Sequence, residues 1–247
     1  MLAIIGGSGL YSLGEAFELE DQVDRKTPYG NTSSDILIGK WMDRRVVFLA
    51  RHGQGHKVPP HRINYRANIW ALSEQGVGHV VSVNAVGGIT PEMRPRALVL
   101  PDQIVDYSSG RDHSFFDGED GEVRHIDFST PYSESLRQLV ANAASELGIP
   151  LVDRATYACT NGPRLETAAE IRRLANDGCD VVGMTGMPEA ALARELDIEY
   201  VSLALVVNWA AGIESRPIKM EEILVNMEQA LKQAGPLLQA LPARVRQ

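Results

Sequence analysis

Short apolar runs recur along the chain, and stretches with helical periodicity lie between several of them. The run at 200–207 is almost wholly apolar, which is typical of a strand covered on both faces. The pattern predicts strands at 2–5, 35–38, 46–50, 80–83, 98–105, 181–184 and 200–207. Their alternation with helices predicts an α/β architecture with a largely parallel sheet, in one domain spanning 1–247.

Apolar residues spaced three and four positions apart mark the helices between these strands. The clearest stripe runs over 136–147 and stops at Gly148 and Pro150, two residue types that end helices. Further helices are predicted at 166–176, at 189–196 and from Met220 onward. The segment 108–131 is long for a loop within a compact domain, which is typical of a lid or an interface element.

The net charge of −8 on 247 residues argues against a nucleic-acid binder, which needs a basic surface. An anionic small molecule would have to be held by a local group of donors against that overall field. Two cysteines are too few for a disulfide framework, and no segment has the long apolar run of a membrane span. No basic region precedes an apolar stretch at the N-terminus, so we expect a cytoplasmic protein without nucleic-acid or membrane partners.

A glycine-rich cluster, Gly-Gly-Ser-Gly at 6–9, directly follows the first predicted strand. Its backbone N–H groups can turn towards an anion, with the Ser8 hydroxyl as a further donor. A tight turn without a ligand is the more common meaning of such a cluster alone. Ser12 stands where a dinucleotide-binding fingerprint has its third glycine, which disfavours a nicotinamide oxidoreductase.

Arg51 and His52 follow the predicted strand at 46–50, where a ligand of an open α/β sheet collects. An arginine has a planar fork for phosphate oxygens, and a neighbouring histidine can donate another hydrogen bond. A zinc site made of His52, His56 and His61 is disfavoured because glycines and prolines between them exclude a helix. No carboxylate or cysteine completes that set of ligands.

Small or polar residues stand at further strand ends. Asn84 and Ala85 follow the strand at 80–83, and the segments 160–167 and 183–189 each lead into a helix. Asn208 ends the apolar run at 200–207, where an unpartnered amide would cost free energy. Each feature alone fits a structural turn. Five of them stand at the ends of predicted strands, at 6–9, 51–52, 84–85, 183–189 and 208, and together they predict a ligand site at one edge of the sheet.

Several longer motifs occur in one order between residues 4 and about 238. They are Ile-Ile-Gly-Gly-Ser-Gly-Leu at 4–10, Leu-Ala-Arg-His-Gly at 49–53, Asn-Tyr-Arg-Ala-Asn-Ile-Trp-Ala-Leu at 64–72, Ser-Phe-Phe-Asp-Gly at 114–118, Gly-Pro-Arg at 162–164 and Met-Thr-Gly-Met-Pro-Glu at 184–189. In these motifs the chain resembles the trimeric purine nucleoside phosphorylase superfamily, specifically its methylthioadenosine phosphorylase branch. The resemblance implies one α/β domain built on a distorted mixed sheet or barrel, flanked by helices and assembled as a homotrimer.

The resemblance also implies cleavage of a purine nucleoside by inorganic phosphate as co-substrate, with no cofactor and no metal. Phosphate is expected to bind to Ser8, Arg51, His52, Asn84, Ala85 and Thr185. The nucleoside is expected to contact Ala85, Leu165, Glu166, Met184, Asn208, Ala210, Met220, Ile223 and Leu224, together with His125 from a neighbouring subunit. Catalytic roles are expected for Asn208, Glu166 and His52.

Positions that face the base depart from the adenine-specific pattern of this branch. Adenine-specific members carry aspartate at the position of Asn208, a second acid at Ala210 and serine at Glu166, whereas inosine- and guanosine-specific members carry the asparagine and glutamate found here. The Asn208 amide has both a donor for O6 and an acceptor for N7–H, and Glu166 can accept from N1–H, which adenine lacks. A mismatched base would leave buried groups unpaired, which predicts discrimination of roughly a thousandfold or more.

Met220 indicates the substituent on the sugar. The run Met-Glu-Glu-Ile-Leu at 220–224 resembles a segment that begins with histidine in the inosine and guanosine enzymes, where histidine bonds the 5′-hydroxyl. A thioether suits a methylthio group instead. The residues that face the base and Met220 together predict S-methyl-5′-thioinosine as substrate. The products are then hypoxanthine and 5-methylthioribose 1-phosphate. The alternatives are a methylthioadenosine or an inosine/guanosine phosphorylase, and a non-catalytic nucleoside sensor on the same fold.

Overall fold

The first apolar run becomes the central strand of the sheet, and all of its residues are buried. In this computed structural model, which describes residues 1–41, 43–118 and 121–245, strand β1 (Leu2–Gly6) lies between β6 (Arg44–Ala50) and β7 (His79–Gly88). Both neighbours run parallel to β1. Their carboxyl ends therefore meet at one edge of the sheet, the position predicted for a ligand.

The remaining elements extend the sheet on both sides and cover it with helices. The other strands of the described residues are β2 (Phe17–Val23), β3 (Lys26–Thr27), β4 (Gly30–Asn31), β5 (Ile36–Trp41), β8 (Leu98–Val99), β9 (Gln103–Asp106), β10 (Thr156–Cys159), β11 (Val181–Gly183) and β12 (Glu199–Trp209). The α-helices are α1 (Tyr65–Glu74), α2 (Glu134–Glu146), α3 (Ala168–Asn176), α4 (Glu189–Glu195) and α5 (Met220–Ala240), and short 3-10 turns occupy Pro60–Arg62 and Leu241–Ala243. Within the described ranges, none of the helices combines the length and apolarity needed to cross a membrane.

The main sheet of the described residues has ten strands and is mixed rather than largely parallel. β12 runs parallel to β7 along its length, whereas β5 is antiparallel to both of its neighbours, β2 and β6. β11 pairs antiparallel with Gly87 and Gly88 at the end of β7. The α/β class with a mixed sheet flanked by helices is confirmed. The largely parallel sheet is wrong, because an apolar run predicts burial of a strand and not its direction.

Two hydrophobic cores lie on opposite faces of this sheet. Alternate residues of β1 enter different cores, so that Ile5 packs with Ile69 of α1 while Ile4 packs with Leu237 of α5. All four of these side chains are fully buried. Coverage on both faces explains why the central strands are continuous apolar runs.

Several element bounds differ from the predictions for local reasons. The strand predicted at 98–105 is two strands, β8 and β9, which a segment containing Pro101 separates. The helix predicted at 166–176 begins at Ala168, because Thr167 is its N-cap and forms a capping box with Glu170. Strand β2 was not predicted, since it is mostly exposed and carries charged side chains. Helix α1 and strand β10 were not predicted either.

Two strands that carry site residues are longer than predicted. β7 continues to Gly88, so Asn84 and Ala85 lie inside the strand and not after its end. β12 continues to Trp209, and its register with β7 shifts between Val206 and Asn208. A bulge of this kind redirects a side chain. Asn208 is thus presented by an irregularity within a strand.

Candidate active site

A cavity of about 450 Å³ opens at the carboxyl ends of the parallel strands. Its wall includes most of the residues expected at the site, although they come from distant parts of the chain. These residues are Ser8, Arg51, His52, Ala85, Leu165, Glu166, Met184, Thr185, Asn208, Ala210, Met220 and Ile223. The volume suits a nucleoside-sized ligand.

Three expected residues lie outside this cavity wall. Asn84 is fully buried and lies outside the cavity wall, whereas the next residues of β7, Ala85 to Gly87, line it. Leu224 lies on α5 next to Ile223 and is 56% exposed. His125 is exposed on the long loop. Its expected contact from a neighbouring subunit stays a prediction.

The glycine cluster permits a close approach of the backbone that no larger residue could make. A Cβ atom at Gly6 would lie 2.1 Å from the carbonyl oxygen of Leu10, and one at Gly7 would lie 2.3 Å from that of Val83. Glycine is required at both positions for this reason. The turn brings Ser8, which is half-buried, to the cavity wall.

Arg51 forms a buried ion pair with Glu189, the first residue of α4. The Arg51 Nε atom donates to Glu189 Oε2 at 2.8 Å, and both side chains are fully buried. Ser82 and Tyr200 also donate to Glu189 Oε1, at 2.6 and 2.8 Å. Burial alone would lower the pKa of Arg51, but the charge of Glu189 raises that pKa above its ordinary value. The guanidinium is therefore charged and held in place, and the Glu189 carboxylate offsets most of its positive charge.

Arg51 also contacts Thr185, another residue of the cavity wall. Its Oγ1 atom accepts from Arg51 Nη1 at 3.2 Å and from Asn84 Nδ2 at 2.9 Å. Asn84 is held in turn by Ser202, whose hydroxyl donates to Asn84 Oδ1 at 2.8 Å. Because the Thr185 oxygen already accepts two hydrogen bonds, its own O–H is available to donate to an anion. Asn84 thus positions Thr185 and does not line the cavity itself.

His52 is neutral at pH 7 and has a defined tautomer. Its Nδ1 lies 2.9 Å from the Val58 carbonyl, which can only accept, so Nδ1 carries the proton. Burial, followed by the charge of Arg51, lowers the pKa of His52 to about 4. In this neutral tautomer Nε2 does not donate, and the role of His52 in binding phosphate stays a prediction. Its Nε2 has a lone pair, which can accept a hydrogen bond from a protonated phosphate oxygen.

Asn208 and Glu166 present polar groups to the same cavity. The Asn208 amide nitrogen donates to the Trp209 carbonyl at 2.7 Å, which fixes the orientation of the amide. Its second N–H and its Oδ1 are left for a ligand, since the described residues provide no partner for them. Glu166 accepts from the Thr160 hydroxyl at 2.7 Å, and its remaining lone pairs are available.

Apolar side chains form the rest of the wall. Met184 lies against Gly162, where a Cβ would come within 2.3 Å of the methionine sulfur. Ile218, Met220 and Ile223 line the cavity around the start of α5. Met220 is 62% exposed. This side of the cavity is consequently apolar and open to solvent within a single chain.

Comparison with known proteins agrees with this geometry. A family model described as the phosphorylase superfamily matches residues 1–242. The chain belongs to this superfamily. It is 56% identical over 244 residues to a probable S-methyl-5′-thioinosine phosphorylase of Pseudomonas syringae pv. tomato, covering 98% of this chain and 97% of that protein. It is 47% identical over 233 residues to the 6-oxopurine nucleoside phosphorylase of Pyrococcus furiosus, covering 92% and 86%.

A solved structure of a superfamily member has the same fold. The methylthioadenosine phosphorylase from Schistosoma mansoni in complex with adenine matches with a TM-score of 0.92 and 28% identity, covering 98% of this chain and 90% of that one. The family and fold expected from the sequence are thereby confirmed, as is the enzyme class, a nucleoside phosphorylase.

Sequence reasoning missed several side chains around the cavity of this superfamily member. Glu189 was noticed only as part of a motif, since nothing local indicates its pairing with Arg51. His56 and Lys57 line the cavity, although His56 was considered only as a metal ligand or a surface residue. No group of three or more histidine, cysteine or acidic side chains among the described residues could hold a metal ion.

Arg111, on the long loop, was also missed. Its guanidinium donates to the main-chain carbonyls of Met184 at 2.9 Å, Asn161 at 3.2 Å and Thr160 at 3.3 Å, as well as to the carbonyl of Met187. These carbonyls belong to the two segments that present Glu166 and Met184. Arg111 thus connects the long loop to the base and sugar end of the cavity, without a carboxylate partner among the described residues.

Proposed function

We propose that this chain transfers the 5-methylthioribosyl group of S-methyl-5′-thioinosine to inorganic phosphate and releases hypoxanthine. The observation that carries the proposal is the Asn208 amide and the Glu166 carboxylate facing one cavity whose opposite side is apolar. The polar groups of Asn208 and Glu166 bind the base, and the apolar side contacts the 5′ substituent. The relatives named for methylthioinosine and for 6-oxopurine nucleosides support the same substrate class.

The phosphate binds in this proposal at the end of the cavity formed by Ser8, Arg51, His52 and Thr185. The hydroxyls of Ser8 and Thr185 donate to its oxygens, and the backbone N–H of Ala85, which lines the same cavity, is a further donor. The Nε2 atom of His52 accepts a hydrogen bond from a protonated phosphate oxygen. Positioned donors at this end hold the anion against the face of the sugar opposite the base.

The base is read at the other end of the cavity. A 6-oxopurine carries N1–H, which Glu166 accepts, whereas adenine would place an N1 lone pair against that carboxylate. The free N–H of Asn208 donates to O6, and its Oδ1 accepts from N7 once N7 is protonated. An adenine would leave several of these groups unpaired, which is the physical source of discrimination.

The reaction then needs no covalent enzyme intermediate. Phosphate attacks C1′ as the glycosidic bond breaks, and the sugar passes through an oxocarbenium-like state that the phosphate charge stabilises. The departing purine gathers negative charge, which the Asn208 N–H stabilises by donating to O6, while Glu166 holds N1–H and N7 takes up a proton. The C1′–O bond to phosphate replaces the C1′–N9 bond, and the proton that N7 gains comes from solvent, so the step balances.

A 6-oxopurine phosphorylase that accepts any 5′ group is a second candidate. It is favoured by the 62% exposure of Met220, since an open wall excludes a 5′-hydroxyl less strictly than a closed one. Methylthioadenosine stays the substrate alternative if Asn208 and Glu166 do not set the base.

Phosphate-dependent base release from methylthioinosine, methylthioadenosine, inosine and adenosine, measured side by side, tests the proposal. We expect the highest kcat/KM on methylthioinosine. Equal kcat/KM values on inosine and methylthioinosine would favour the second candidate over this proposal. A preference for methylthioadenosine would reject the assignment of the base. No phosphate-dependent cleavage of any of them would favour a nucleoside sensor.

A homotrimer in the cytoplasm completes the proposal. It is supported by the resemblance and by exposed apolar side chains, which include Leu165, Ile213, Met220 and Leu224. Light scattering after size exclusion should give three times the mass of one chain. A His125→Ala variant should weaken nucleoside binding if this residue completes a neighbouring site, and a monomeric active enzyme would exclude that role.

A further inference from the structure

The buried part of the phosphate end has almost no net positive charge. Arg51 is paired with Glu189, and both are fully buried. His52 is neutral, because burial and the neighbouring arginine lower its pKa to about 4. Burial also lowers the pKa of His56. The remaining charged groups of the cavity wall are Lys57 and, at the base end, the Glu166 carboxylate.

This charge balance poses a problem for an anionic co-substrate. The whole chain carries a net charge of −8, so its overall field repels phosphate. The donors of Arg51 are also largely occupied, since Nη2 donates to Ser82 at 2.5 Å while Nη1 and Nη2 both reach the Val83 carbonyl at 3.4 Å. Among the described residues, the buried ones at this end of the cavity offer hydrogen-bond donors, but none of them carries a positive charge without an acidic partner.

Lys57 is placed to supply that cation. The segment from His52 to Val58 is closed by two hydrogen bonds, because the Val58 N–H donates to the His52 carbonyl and the His52 ring donates to the Val58 carbonyl, each at 2.9 Å. Lys57 directly precedes Val58 and is therefore held beside the expected phosphate ligand. Its side chain is exposed, lines the cavity and has no carboxylate partner among the described residues.

We infer that Lys57 supplies the positive charge that attracts and holds inorganic phosphate in this cavity. The inference rests on the phosphorolysis in the proposed function and not on which nucleoside is cleaved. Lysine suits this role because its ammonium is a compact charge on a flexible stem, which can follow the phosphate as it enters. Arg51 and Glu189 then orient Thr185 and do not act as the main electrostatic attraction.

The test compares Lys57→Gln with Lys57→Arg and with Lys40→Gln. Lys40 lies on β5, pairs with Glu20 and is outside the cavity wall, so its substitution makes the same change in net charge elsewhere. At low ionic strength we expect Lys57→Gln to raise the KM for phosphate about tenfold, the size of one partly exposed charge interaction. The KM for the nucleoside should change less than about twofold, and Lys57→Arg should remain close to wild type. Added salt should narrow the difference between wild type and Lys57→Gln.

Three results would overturn the inference. They are an unchanged KM for phosphate in Lys57→Gln, an equal increase in Lys40→Gln, or an effect confined to the KM of the nucleoside. Calorimetric titration of each variant with inorganic phosphate alone separates this inference from the proposed function. Weaker phosphate binding by Lys57→Gln would support it even if the wild type cleaves none of the nucleosides tested.

Discussion

Replacing Asn208 by aspartate changes the one side chain that distinguishes a 6-oxopurine from adenine at the imidazole side of the base. In the wild type, one amide hydrogen is donated to the Trp209 carbonyl at 2.7 Å, and the other is free for O6. The aspartate has neither hydrogen, so an oxygen left in that place would face the Trp209 carbonyl at the same short distance. The carboxylate must rotate, and it then faces the base as an acceptor only.

The magnitude follows from the groups left unpaired. Loss of the donor to a largely desolvated O6 costs about 1–3 kcal/mol, and the added negative charge increases this. We expect kcat/KM on methylthioinosine to fall about a hundredfold, equivalent to ~2.7 kcal/mol. On methylthioadenosine the carboxylate can accept from the 6-amino group, a charge-assisted bond worth roughly tenfold in kcat/KM. Glu166 still opposes adenine, so adding Glu166→Ser should complete the change.

Competition between methylthioinosine and methylthioadenosine at saturating phosphate measures the ratio of their kcat/KM values directly. Asn176→Asp is the matched control, because Asn176 is exposed at the end of α3 and its substitution adds the same charge. The reasoning is refuted if Asn208→Asp melts like the wild type and still prefers the 6-oxopurine to the same extent. A change of ratio in the control as large as in Asn208→Asp would also refute it.

Other side chains give predictions of stability and of binding. Because the pKa of His52 is near 4 when folded and about 6.5 when unfolded, the unfolded chain binds more protons between these values. The free energy of unfolding of the phosphate-free protein should therefore fall by up to about 3 kcal/mol from pH 6.5 to 4, and His52→Gln should lose this slope in urea titrations. Glu189→Gln should cost about 3–5 kcal/mol by leaving the Arg51 charge buried without its partner, whereas Glu228→Gln in an exposed pair should cost less than about 1 kcal/mol. Equal midpoints for these two variants would contradict that account. Arg111→Gln should raise the KM of the nucleoside more than that of phosphate, since its carbonyl partners lie at the base and sugar end; equal changes would make Arg111 a general stabiliser only.

The position of Glu189 has a consequence for how this cavity binds an anion. An arginine that had no acidic partner would be a buried, unpaired charge whenever phosphate is not bound. Such a charge costs free energy. The pair with Glu189 stabilises that charge, but it also removes most of the attraction for phosphate. This compromise is the reason for the inferred role of Lys57, an exposed cation of the cavity wall, in addition to the buried arginine.

The sequence by itself determined the class of fold and most of the cavity wall. Runs of apolar residues mark strands that are buried on both faces, so β1, β6 and β12 were found with bounds close to the observed ones. Helix α2 was found because its stripe has the helical period and Gly148 follows it. Arg51 and His52 are neighbours in the chain, and the edge at which they lie follows from the ends of parallel strands. Motifs of this kind report local geometry, which the local sequence encodes.

Only the tertiary structure decided which groups meet across the sheet. Arg51 and Glu189 are separated by 138 positions, and no local pattern pairs them. Asn84 was expected to bind phosphate, but it lies outside the cavity wall and its amide donates to Thr185. Arg111 connects a loop to segments that the sequence places about 50 and 73 positions further on. Burial and periodicity are properties of a segment, whereas the partner of a buried charge depends on strand order and register, and these were set by the packing of the whole sheet.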